Sequence, residues 1–133
     1  MIKFVYCICK RVDLSNEEFR TFWKDKHGPY IRSLAKTLRA KKYVQSHTVD
    51  TPLNEEIIKS RGLDTPPYDG VTEIWWDSMD EFVASVSTPE GQAAAQQYIL
   101  GSDVAEANFV DFSKSRAFLT EEHVVFDFSS DEV

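Results

Sequence analysis

Residues Ile2 to Cys9 are apolar at nearly every position, not at every second one. A strand of that kind is covered on both faces. Ser15-Asn16-Glu17-Glu18 carries a capping-box spacing, with Ser15 at the N-cap and Glu18 reaching back. The helix it opens shows Phe19, Phe22, Trp23 and Lys26/His27 at a 3–4 spacing. Gly28-Pro29 interrupts that pattern, since the residue before proline avoids the helical region while proline suits a new first turn. Two helical pieces are predicted, 16–27 and 29–39, with Tyr30, Leu34 and Leu38 continuing the apolar face and His27 at the junction.

Lys42 to Asp50 alternates, placing Tyr43, Gln45, His47 and Val49 on one face and Val44, Ser46 and Thr48 on the other. The connection 51–68 contains Pro52, Pro66 and Pro67 and is long for a link between strands, as arms and lids are. Within it, Asn54 to Arg61, closed by Gly62, is a candidate short helix. Val71 to Trp76 reads as a third strand with large apolar groups on both faces. Ser78–Glu81 repeats the capping-box spacing, and Thr88-Pro89 opens another helix that Gly101 ends. Asp103 to Phe112 reads as a helical turn with Phe109 inward, and His123-Val124-Val125-Phe126 reads as the last strand.

The order is β-α-β-β-α-β, a ferredoxin-like α+β domain with a four-stranded antiparallel sheet, in one unit over 1–133. Residues 129–133, Ser-Ser-Asp-Glu-Val, read as a frayed acidic tail. Helices cover only one face of such a sheet. The other would expose Val5/Cys7, Val71/Trp75 and Val124/Phe126, an apolar surface suited to a second copy in a homodimer.

Charge narrows the partners. A net charge of −7 over 133 residues argues against nucleic acid, which needs a basic footprint. One local exception is Lys24 to Lys42, where Arg32, Lys36 and Arg39 form a helical stripe, read as a solvated face. The two cysteines, Cys7 and Cys9, lie two apart on one strand face and behave as small hydrophobes, without metal spacing. No apolar run reaches membrane-spanning length, and a reduced, cytoplasmic setting is the expectation.

Candidate chemistry centres on the histidines. His27 shares a helix face with Phe19 and Trp23 and either moves a proton, or caps the broken helix end or bonds a backbone carbonyl. His47 lies in a row with Tyr43 and Gln45 that is too polar for a dry core; it suits a ligand-filled cleft or a bonded cluster in the dimer interface. Glu73, mid-strand between apolar neighbours, needs a partner, either a histidine or a nearby lysine. His123 reads as structural. Trp23, Tyr30 and Trp75 are core aromatics by default, or the wall of an apolar pocket. The expected site is therefore His27 and His47 as proton carriers bordering one cavity, with Trp23, Tyr30, Tyr43, Gln45, Glu73 and Trp75 around a hydrophobic small molecule. No metal and no cofactor is called for.

Phe19-x-x-Phe22-Trp23-x-x-x-His27-Gly28-Pro29 resembles a stretch typical of the EthD family, small proteins of the dimeric α/β-barrel superfamily. The resemblance continues through Tyr43–Thr48, Asp69–Ser78, Thr88-Pro89-Glu90-Gly91 and Phe118–Val125, in family order. It implies two sheets packed face to face and a cleft between sheet and helices in each protomer. Related small barrels include muconolactone-type isomerases, cyclases, dehydratases and cofactor-free monooxygenases, and a related methylisomerase carries a catalytic histidine at the position of His27. The resemblance is compatible with a cofactor-free enzyme of the isomerase, cyclase, dehydratase or lyase type, with a non-catalytic binding protein for a hydrophobic ligand, and with a cofactor-free monooxygenase.

Overall fold

The computed structural model describes residues 1–129. Four strands, β1 (Ile2–Ile8), β2 (Lys42–His47), β3 (Gly70–Trp76) and β4 (Arg116–Glu121), form one sheet in the order β2-β3-β1-β4. Every pairing is antiparallel, the ferredoxin-like arrangement predicted from element order. Opposed residues share a face. Phe4, Tyr6 and Ile8 lie across from Ile74, Thr72 and Gly70, and Tyr43, Gln45 and His47 continue that face on β2. These residues face the helices, and the core there joins Tyr6, Ile8, Phe19, Trp23, Phe109 and Val110.

The helices are α1 (Asn16–Phe22), α2 (Gly28–Leu38), α3 (Leu53–Ser60), α4 (Met79–Ser87) and α5 (Pro89–Gln96). No break separates α1 from α2. A π-helical turn, Trp23–His27, joins them, and Gly28 keeps helical angles, φ −55° and ψ −55°. The wider turn seats Pro29, which lacks an N–H, and Gly28 N–H bonds the Trp23 carbonyl instead. It also inserts a residue and so rotates α2 about its axis. The buried stripe runs Phe19, Trp23, His27, Ile31 and Leu38, with Ile31 taking the place expected of Tyr30.

Both bonds of the first capping box form, Glu18 N–H to Ser15 Oγ at 3.0 Å and Ser15 N–H to Glu18 Oε1 at 2.9 Å. The second forms only by half: Ser78 accepts from Glu81 N–H at 3.2 Å, while the Glu81 carboxylate pairs with Arg39 at 3.1 Å. Thr88 caps α5 as expected. The connection 51–68 holds α3, which buries no residue. The last strand needs correction. β4 is Arg116–Glu121, not His123–Phe126; as an edge strand with one side chain half-buried and the rest exposed, it carries little apolar pattern to reveal it. Of the tail assigned to 129–133, all but Ser129 lies outside the described residues.

One glycine sets the depth of the core. A Cβ at Gly70 would lie 2.4 Å from the Trp23 ring, so only glycine lets the indole rest against the sheet. Gly70→Ala is expected to destabilise the fold by about 1–3 kcal/mol through overpacking. Urea unfolding would show a lower midpoint at unchanged slope.

Candidate functional site

The π-turn carries His27 into the space between helix and sheet, where it is 4% exposed. Its Nδ1 lies 2.7 Å from the Val104 carbonyl, which only accepts, so Nδ1 carries the hydrogen in the neutral ring. Nε2 is then the basic nitrogen, and burial lowers the pKa of the ring. Phe109 packs its ring 4.9 Å from the imidazole. The short 3-10 turn Glu106–Asn108 precedes that anchor and delivers Glu106 to the same place.

His27 and Glu106 line one small cavity of about 20 Å³ together with Tyr6, Tyr43, Tyr98, Thr72, Trp23 and apolar side chains. That volume holds about one water. Burial pushes the Glu106 carboxyl up to about 7, with the Tyr6 phenol beside it pulling slightly the other way. Tyr98 is pushed up to about 12 by burial and by the nearby Glu106 charge. Burial raises Tyr43 and, together with Glu106, raises Tyr6 further still. The Trp23 indole N–H is buried, short of full hydrogen-bond geometry but close enough to the Tyr43 hydroxyl to favour its ionised form. A neutral base, a carboxyl poised near neutral pH and indole and phenolic donors thus converge on one space.

The row on β2 takes a different part. The Gln45 amide donates to the Trp23 carbonyl at 2.8 Å and to the Tyr43 hydroxyl at 3.0 Å. Its Oε1 therefore faces His47 Nε2 at 2.9 Å and fixes the hydrogen there. The His47 ring stacks on Trp23 at 4.4 Å. Burial, then Arg20 and Lys24, lower its pKa. Both histidines lie on the helix side of the sheet, but they do not border one cavity. His47 lies against the Trp23 indole and is absent from the lining of the His27 cavity.

Glu73 and Trp75 fall on the opposite face of the sheet, with Val5 and Val44 beside Glu73 and Lys3 beside Trp75. Glu73 pairs with Lys3 at 2.8 Å, the lysine alternative, and takes no part in the cavity. The Trp75 indole N–H donates to Glu122, with Lys3 and Lys42 over its ring. Tyr30 is half-buried outside the cavity. Glu106, Tyr6 and Tyr98 escaped sequence reasoning, because none of them belongs to a motif. No group of three or more His, Cys, Asp or Glu suited to a metal occurs among the described residues. An open groove of about 520 Å³ runs between α2 and β2, and Ile31 and Tyr43 line both it and the cavity.

The model of the EthD domain matches residues 11–113. The chain belongs to the EthD family. No curated protein matches it. Among solved structures, an ethyl tert-butyl ether degradation (EthD) family protein from Bacillus halodurans shares 15% identity with a TM-score of 0.55, covering 92% of this chain and 99% of that one. A dimeric protein of ferredoxin-like fold from Bacteroides fragilis shares 13% identity at TM-score 0.54, covering 91% and 95%. SnoaB, a cofactor-independent oxygenase from Streptomyces nogalater, shares 12% identity at TM-score 0.51, covering 95% and 97%. At such identities these likenesses speak for the fold. Within this EthD domain, no described helix is long and apolar enough to cross a membrane.

Proposed function

We propose that this EthD protein is a cofactor-free enzyme that moves a proton on a hydrophobic small molecule, working as a homodimer. The observation that carries this reading is His27: Val104 holds its hydrogen on Nδ1, leaving a basic Nε2 in a cavity shared with a carboxyl whose pKa is about 7. The base takes a proton from carbon, and neutral Glu106 returns one elsewhere on the same molecule. The proton on His27 then passes to the Glu106 carboxylate, which resets both groups, and the sum is an isomerisation, or a dehydration when the second proton leaves with a hydroxyl. Trp23 N–H, beside the Tyr43 hydroxyl at the cavity wall, is a donor for an oxygen that gains charge on the way.

A cavity of one water's size takes only the reacting end of a substrate, and the groove beyond Ile31 and Tyr43 takes the remainder. Gln45, bonded to both Tyr43 and the Trp23 carbonyl, fixes that entrance, and His47 holds Gln45. His47 is accordingly a positioning residue in this scheme, and the two-histidine shuttle gives way to His27 with Glu106.

A panel of enolisable ketones and lactones in D₂O tests the proposal. Deuterium entering the carbon skeleton, monitored by NMR and dependent on His27, is the expected result. Saturable binding with no exchange would leave the binding-protein reading, and oxygen uptake with a hydroxylated product would replace it with the monooxygenase reading.

A further inference from the structure

The chain is acidic as a whole, yet one stretch of it is not. Between Lys24 and Lys42 stand seven cations and a single acid, Asp25, on a protein of net charge −7. α2 and the start of β2 lie in that stretch and wall the open groove of about 520 Å³ that adjoins the cavity. Lys24, Arg32, Lys41 and Lys42 line the groove, and no carboxylate among the described residues does.

Two of these four cations are already engaged. Lys41 pairs with Asp77 at 3.5 Å, and Lys42 lies over the Trp75 ring, 4.8 Å from its centre. Lys24 and Arg32 form no ion pair among the described residues. They stand eight positions apart with Gly28 midway, and all three line the groove, so the residue between the two cations carries no side chain. Pro29, Ile31, Ala35 and Ala40 supply an apolar floor beside them. Such a floor keeps water from one side of an ion contact, which strengthens it relative to the same contact on open surface.

From this we infer that the groove is a carboxylate subsite: the substrate is a hydrophobic acid whose charged end lies between Arg32 and Lys24, away from the reacting carbon. A guanidinium meets a carboxylate through two parallel N–H donors, and the lysine adds a point charge. Ile31 and Tyr43 line both groove and cavity, so the apolar body of the acid passes between them. Arg32 follows His27 by five residues, about 7.5 Å along the helix, which separates the carboxylate from the reacting carbon by several others. Elsewhere the negative chain repels an acid, so the basic stretch also steers where the acid lands. Which end of the acid reacts rests on the proton-transfer reading; the anion site does not.

Matched ligands test this on the full chain. δ-Benzoylvalerate is an enolisable ketone that ends in a carboxylate, and δ-benzoylvaleramide is its neutral counterpart. Titration calorimetry at low salt is expected to show the acid bound about 10-fold more tightly than the amide, the worth of a charge-assisted contact. Arg32→Gln combined with Lys24→Gln should bring the two ligands to parity by weakening the acid alone. Lys36→Gln, on the same helix but outside the groove lining, should leave the preference intact. Equal binding of acid and amide by the parent protein would overturn the inference, as would binding of neither. A Lys36→Gln variant that loses as much preference as the double variant would overturn it too, since the effect would then be diffuse charge. Inorganic phosphate bound more tightly than the acid would assign the cations to a phosphate-bearing ligand instead. The readout is binding and not turnover. A carboxylate preference without deuterium exchange into either ketone would leave this site standing and sink the proton-transfer reading; exchange without the preference would do the reverse.

Discussion

His27→Gln is expected to reduce turnover of a true substrate by about 10²–10⁴-fold, the usual worth of a positioned proton carrier. Glutamine keeps an amide donor for the Val104 carbonyl and fills most of the space of the ring. The loss would then report on the missing base and not on a collapsed cavity. Unchanged turnover in a folded variant would sink the assignment. The pH profile makes the same point from another direction. Burial lowers the His27 pKa, so its basic form persists below the ordinary histidine range and the acid limb of kcat/KM falls at low pH. Glu106 supplies the proton only below its pKa of about 7, which sets the alkaline limb. Glu106→Gln should remove that limb while lowering the plateau. His47→Ala, by contrast, should raise KM more than it lowers kcat, because its ring touches Trp23 and Gln45 and not the cavity.

Glu106→Gln should also change stability in a pH-dependent way. In the folded protein the carboxyl stays protonated up to about pH 7, whereas in the unfolded chain it ionises near its ordinary value of 4.5. Between those values the folded state holds the extra proton. Stability therefore falls as pH rises from about 4.5 to 7, and levels off above. A displacement of that size, with the Tyr6 contact already included, corresponds to roughly 3 kcal/mol. Glutamine is neutral at every pH. The variant should match the parent near pH 4 and exceed it by up to about 3 kcal/mol at pH 8. Denaturant midpoints at the two pH values decide this. A variant no more stable than the parent at pH 8 would show that Glu106 is charged and paired in the native state.

The fold and the inward placement of His27 were legible in the chain because they rest on local rules. The period of the first three strands, the Ser15–Glu18 cap, Thr88-Pro89 and the Gly62 stop act over a few residues, and each forms as its sequence specifies. Helix spacing from Phe19 and Trp23 likewise put His27 inward. Where the sequence misled, a distant contact had decided. Gly28-Pro29 signals a break, but Gln45 on β2 bonds the Trp23 carbonyl and the widened turn continues the helix. Val124 to Phe126 outscores Arg116–Glu121 in apolar pattern, yet β4 is fixed by its ladder with β1, more than a hundred residues away in sequence. Alternation could say that Glu73 and Trp75 share a face, but not that this face is turned away from the helices. Glu106 is the clearest case. In sequence it is one carboxylate in an irregular stretch, with the pKa of any glutamate. Its value near 7 exists only because Phe109 anchors the turn and Tyr6, Tyr98 and the sheet close around it, and desolvation is a property of the packed interior that no local pattern encodes.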